Sequence, residues 1–228
     1  MSANWCDVKS TGRWRLKTWN DLFCEPRRRL GTGFTTLNTP AHLLIGAAAF
    51  GRPADTRIVL AAFVGALLPD LSLYLMAGTA LFVLSMPPSR VFNELYFSDA
   101  WQTVFAIDSS FLLWGTFLGL ALWRHVPWAI ALTSAAMLHL LLDFPLHHDD
   151  GRPHFWPVSA WVYESPISYW DRSKGAGWVA PLEAGLALIA AVMLWVRRVP
   201  LWAALLTGVL LLAEIWIVRQ WLFFFVDS

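Results

Sequence analysis

RIVLAAFVGALLPDLSLYLMA, residues 57–77, runs for 21 residues with one base at its first position and a single acid, Asp70, further in. At about 1.5 Å per residue, a helix of this length covers the roughly 30 Å hydrocarbon layer of a bilayer. The run is uniformly apolar, without the alternating polar face of a soluble helix. It reads as a membrane helix.

The rest of the chain repeats that pattern. Apolar runs at 104–124, 126–146, 178–197 and 200–223 have comparable length. TPAHLLIGAAAF (39–50) places Thr39 and Pro40 at N-cap and N1, but about 12 residues are too few to cross alone. TALFVLSM (79–86) reads as a lip on the second helix before Pro87 and Pro88. Of the 228 residues, 57% are hydrophobic and 14% charged, where soluble domains carry about 25% charged residues. The expected fold is all-α: a multi-pass membrane bundle with five full spans and one short N-terminal helix. The membrane domain covers 39–228, with an external loop at 147–177.

Residues 1–38 differ in kind. They hold Lys9, Arg13, Arg15, Lys17, Arg27, Arg28 and Arg29 against three acids, with no apolar core of signal-peptide length. A loosely ordered basic arm at the membrane surface is expected. Cys6 and Cys24 lie in this arm, 18 residues apart with no nearby histidine, which makes an incidental pair more expected than a disulfide. The formal net charge of +1 points to no nucleic-acid partner.

The loops sort by charge. One side receives Arg52, Arg57, Arg124, Arg197 and Arg198 with Asp55 as its acid; the other dilutes Arg90, Arg152, Arg172 and Lys174 with six acids. The positive-inside rule puts the first side in the cytoplasm and the second outside, facing the periplasm of a bacterial inner membrane. A full crossing by 39–50 would place the basic arm outside; the five longer spans carry the assignment.

A charge in hydrocarbon costs about 2.5–3.5 kcal/mol even on lenient scales. Five acids nevertheless interrupt the apolar runs: Asp70, Asp108, Asp143, Glu183 and Glu214. Threading the helices between their loops sets all five in the external half of the bilayer, with His42 reaching the same level. Taken singly, each acid is explained by one interhelical hydrogen bond, Glu214 by Arg219 or a neighbouring helix, and Glu183 by the positive end of its own helix. Agreement in depth is what favours a shared site. Pro69 frees the carbonyl of Gly65, opening the helix locally beside Asp70.

LHLLLDFPLHHDDGRPHFWP (138–157) then supplies ligands. His139, Asp143 and His147 are spaced i, i+4, i+8 and share a helix face; His148, Asp149, Asp150 and His154 follow beyond Pro145. Imidazole suits zinc and similar ions, while added carboxylates favour manganese, magnesium or more than one metal. The expected metal ligands are His42, Asp70, Asp108, His139, Asp143, His147, His148 and His154.

NTPAHLLIG, GALLPDLSLY and LHLLLDFPLHHDDGRPHFWPVS resemble the YdjM-type family of membrane-bound, metal-dependent hydrolases over about residues 38–215. His42, Asp70, His139 and Asp143 match the family's motif positions. The resemblance implies a link to the all-helical zinc-dependent phospholipase C and P1 nuclease fold, which binds several metals. Two positions depart from the pattern: Ser72 stands where the family has a second acid, and Asp108 where it has a histidine.

The expected function is a metal-dependent hydrolase of a phosphoester in a membrane lipid or lipid-linked substrate. Asp143, Asp149 or Asp150 would accept the proton of the attacking water. No GxSxG motif and no Cys/His pairing supports a covalent nucleophile. Phe155, Trp156, Trp161, Tyr163, Tyr169 and Trp170 suit the headgroup zone as an anchor. Two other classes compete: a transporter or ion carrier, since intramembrane acids also mark ion paths, and a non-catalytic assembly factor with a structural metal.

Overall fold

A computed structural model describes residues 39–223 apart from 149 and 170. The basic arm, with Cys6 and Cys24, therefore lies outside the described residues, as do Asp149 and Trp170. Among the described residues the chain is all helical. Its helices are α1 (Thr39–Phe50), α2 (Thr56–Gly78), α3 (Asp99–Asp108), α4 (Phe111–Trp123), α5 (Pro127–Asp143), α6 (Ala176–Val196) and α7 (Leu201–Phe223). A π-helical turn, Thr79–Val83, extends α2 as the expected lip. A single turn at Pro88–Arg90 and a π-helical Val91–Leu95 lead toward α3.

Four stretches are long and apolar enough to cross a membrane: Thr56–Val83, Asp99–Trp123, Ala176–Val196 and Leu201–Arg219. The chain is an integral membrane protein. The run expected as a fifth full span, 126–146, forms a helix of only 17 residues, about 25 Å long. It stops where Pro145 has no N–H to continue the ladder, and Leu146 N turns back to the Asp143 carbonyl at 2.8 Å. The 104–124 run begins earlier, at Asp99, and breaks at Ser109–Ser110, where the Ser110 hydroxyl caps α4 by accepting from Leu113 N.

The short helix α1 is the axis of the bundle. It packs against α2, α5, α6 and α7, and eight of its twelve residues are buried, as an all-round apolar helix requires. Small residues permit this. A methyl group on Gly46 would lie 2.8 Å from the Ala66 Cβ of α2. Helices α2 and α5 cross still more closely, because a side chain on Gly65 would overlap the backbone of Leu132.

The turns gather at two ends. At one end, Phe50, Gly51 and Arg52 share a cleft with His125 and Pro127, and Arg197 Nη1 donates to the Ala48 carbonyl at 2.5 Å. This end collects the arginine-rich turns that the charge pattern grouped together. An apolar core of Leu44, Ala47, Phe63, Ala191, Leu194 and their neighbours fills the half of the bundle beside it. The first residue of α1 lies in the other half, where the Thr39 hydroxyl donates to Asp70 Oδ2 (2.6 Å) and accepts from the Tyr74 hydroxyl (2.9 Å).

Candidate metal centre

Helices α1, α2, α5 and α6 each bring a polar side chain to that half of the bundle. His42, His139 and Asp143 offer ligand atoms that all lie within 4.8 Å of one another, and all three residues are buried. Asp143 sits between the imidazoles: Oδ1 is 3.4 Å from His42 Nε2, and Oδ2 is 3.2 Å from His139 Nε2. Two more carboxylates flank them. Glu183 Oε1 lies 3.3 Å from His42 Nε2, and Asp70 Oδ2 lies 3.7 Å from His139 Nε2.

The tautomer of His139 follows from its partner. Nδ1 lies 2.7 Å from the Ala66 carbonyl, which can only accept, so Nδ1 carries the proton. Nε2 then faces two carboxylates, is fully buried and makes no hydrogen bond. A nitrogen lone pair between carboxylate oxygens is repulsive unless a cation lies between them. A carbonyl fixing the tautomer of a ligand histidine is also the usual outer support of a metal site. The close crossing at Gly65 and Leu132 brings α5 near enough for His139 to reach that carbonyl.

Outside the membrane helices, His147 extends the cluster. Its Nε2 lies 3.6 Å from Asp143 Oδ2 and 3.1 Å from the Tyr169 hydroxyl; its Nδ1 lies 2.9 Å from Asp150 Oδ1. The last contact is an ion pair with poor hydrogen-bond geometry, since Nδ1 has no hydrogen-bond partner. Burial alone would lower the pKa of His147, but Asp150 and Asp143 outweigh it and raise the value to about 10. Asp150 is likewise held below its ordinary value: burial opposes its ionisation, and His147 and Arg152 reverse that effect. Burial raises the Tyr169 hydroxyl well above its usual range, reinforced by the carboxylates of Asp143 and Asp150.

The other expected ligands sit elsewhere. His154 Nδ1 donates to the Ser109 carbonyl at 2.8 Å, with the ring between Phe111 and Phe144. Burial lowers its pKa to about 4, so it is a neutral peg holding the loop on the α3–α4 junction. The Ser110 hydroxyl adds a tether by donating to the Trp156 carbonyl at 2.6 Å. His148 Nδ1 bonds the Ser165 carbonyl at 2.5 Å, and the Ser165 hydroxyl donates to the Pro145 carbonyl, which together fold the loop on itself. Asp108 stands apart from the triad, with Ser72, Arg152 and Asp70 as its neighbours. Asp149 lies outside the described residues.

Sequence reasoning left two residues out of the ligand set. Glu183 has the same depth as the other acids, and that signal was present, but a helix-terminal role competed with it. Arg152 looked like one solvated loop charge among several. It is 6% exposed, with Nη1 at 2.9 Å from Ser109 Oγ and 3.9 Å from Asp70 Oδ1. Nothing in its spacing marked it.

Comparison with family models, with curated proteins and with solved structures finds no match.

Proposed function

We propose that this protein is a membrane-bound, metal-dependent hydrolase of phosphoester bonds in a lipid or lipid-linked substrate. The observation that carries the metal is His139, whose proton is committed to Ala66 while its bare nitrogen meets Asp70 and Asp143. His42, His139 and Asp143 would hold the ion, with Glu183 and Asp70 within reach. Two imidazoles with carboxylates favour zinc; manganese or magnesium would lean on the carboxylates. A bound divalent ion supplies an acidified water and neutralises charge developing on the phosphoryl group.

The chain's own residues supply the rest. Asp143 orients both imidazoles. The pair of His147 and Asp150 lies beside it, ready to take up a proton released there. The resemblance to the YdjM-type family supports the reaction class. The arginine-rich turns at the opposite end support a cytoplasmic face there and a periplasmic site in a bacterial inner membrane.

One observation favours the transporter reading. Below the site, Glu214 and Thr207 are fully buried on one face of α7, and the Glu214 oxygens and Thr207 Oγ1 have no hydrogen-bond partner. The line ends there: Ala203, Val199 and Leu194 continue it as apolar core. A continuous ion path would need polar groups through that half.

Elemental analysis of the purified full chain is the deciding measurement. One or more divalent ions per chain are expected, with His139→Ala and Asp143→Ala each losing most of the metal while still inserting. Wild-type protein should hydrolyse a phosphate ester of a model lipid, and chelation should stop it. Full metal content in both variants would sink the ligand assignment.

A further inference from the structure

Beside the metal centre lies a second polar group that the proposed metal chemistry does not use. Arg152 Nε, Ser72 Oγ and Asp108 Oδ2 are all buried without a hydrogen-bond partner. They come from the loop, from α2 and from α3, and Asp108 has both Ser72 and Arg152 as neighbours. Partnerless buried polar atoms cost about 1–3 kcal/mol each, and ordinary packing avoids them. Here three of them meet. The arginine is also held firmly: the face of Phe105 lies 4.9 Å from its guanidinium carbon, and Ser109 and the Pro69 carbonyl take Nη1.

The chemistry of the three atoms is mixed. Arg152 Nε can only donate, Ser72 can donate, and an ionised Asp108 can only accept. A metal cation suits Asp108 but not a buried arginine. A fully ionised oxyanion such as sulfate suits Arg152 and Ser72 but meets repulsion at Asp108. A phosphate that retains one proton satisfies all three: its oxygens accept from Arg152 and Ser72, and its P–OH donates to Asp108. Phosphomonoesters have a second pKa of about 6 and carry that proton in mildly acidic conditions; diesters have none. The site also lies next to the metal centre, because Arg152 Nη1 is 3.9 Å from Asp70 Oδ1 and Asp70 Oδ2 is 3.7 Å from His139 Nε2.

We infer that Arg152, Ser72 and Asp108 form a binding site for a protonated phosphomonoester group, adjoining the His42–His139–Asp143 centre. The inference builds on the hydrolase reading and narrows its substrate to a lipid phosphomonoester. It also gives Asp108 a role other than metal ligand.

The test is equilibrium dialysis of the full chain in detergent at pH 6 against radiolabelled inorganic phosphate, with sulfate as competitor, in zinc-loaded and chelated protein. We expect phosphate to bind at least about tenfold more tightly than sulfate, the worth of one charge-assisted hydrogen bond. Arg152→Gln should weaken phosphate at least about tenfold, and Arg152→Lys and Ser72→Ala severalfold. Asp108→Asn should erase the preference over sulfate, because an amide can donate where the carboxylate could not. Should Arg152→Gln not fold, the other three variants carry the test. Equal binding of sulfate and phosphate by the wild type would overturn the inference, and so would an Asp108→Asn variant that keeps the preference. Dihexanoyl phosphatidate should displace phosphate, whereas dihexanoyl phosphatidylcholine, a diester, should not. Failure of the phosphatidate removes the lipid as the source of the group. Protein that holds no metal but discriminates as described keeps this site and loses the hydrolase reading. Metal-loaded protein that ignores phosphate does the reverse.

Discussion

Gly65→Ala tests how the fold holds the site. Glycine here has no conformational role; it lets α2 and α5 touch. A Cβ built on Gly65 lies 2.6 Å from the carbonyl carbon of Leu132 and 2.7 Å from its Cα, where non-bonded carbons prefer about 3.5–4.0 Å. The two helices must part by about 1 Å. Both partners are backbone, so no side chain can swing aside, and overpacking of this kind costs about 1–3 kcal/mol. The separation also falls between Asp70 and Ala66 on one helix and His139 and Asp143 on the other. Metal geometry tolerates about 0.2 Å. Gly65→Ala should therefore lower the thermal midpoint in detergent by several degrees and sharply reduce bound divalent metal. Gly119→Ala is the control: its added methyl meets nothing within 4 Å, and alanine is the better helix former by about 1 kcal/mol. A Gly65→Ala protein with wild-type metal content and midpoint would refute the close-crossing account.

Two further outcomes are expected. Burial, with His147 and Arg152 adding positive charge nearby, lowers the His154 pKa from 6.5 to about 4, so between those values the unfolded chain takes up a proton that the folded chain refuses. Stability from neutral His154 is thus complete above pH 6.5 and lost as the pH falls toward 4, by about 3 kcal/mol at most; thermal unfolding at pH 7 and 4.5 should show this, and His154→Gln should reduce the difference. Ser110→Ala removes both the cap of α4 and the tether to Trp156, which should cost about 1–2 kcal/mol and speed amide exchange of residues 153–158; unchanged exchange would show that His154 alone holds the loop.

Much of this arrangement was legible in the sequence because hydrocarbon punishes error. An acid in a membrane helix needs a partner, and depth along each helix follows from counting residues, so the meeting of His42, Asp70, His139 and Asp143 could be anticipated. The start of α1 at Thr39 also followed from local chemistry. The failures have a common cause. Counting residues gives depth but not rotation about the helix axis, and Asp108, at the right depth, faces Ser72 and Arg152. Composition could not show that 126–146 ends early, because LeuPhePro-type apolar residues continue past the last helical turn. Loop residues carry no periodicity at all. Arg152 and His154 were therefore assigned by residue type alone, as a solvated charge and a ligand, and the fold uses each as a buried fixture.

The brevity of α5 has a consequence for where chemistry can occur. At 17 residues, or about 25 Å, it falls short of a bilayer's hydrocarbon width of about 30 Å, while its neighbours α2, α6 and α7 do not. Its last residue, Asp143, therefore stops beneath the headgroup plane, and irregular chain occupies the remaining depth. Non-helical backbone is tolerated there only when protein encloses it, which accounts for the burial of Gly151, Arg152, Pro153 and His154. The protein thus carries a local pit in the outer leaflet, floored by ionisable groups and walled by full-length helices. An amphiphile need not be lifted into water to meet those groups; its polar end has only to sink by about the height of one helical turn.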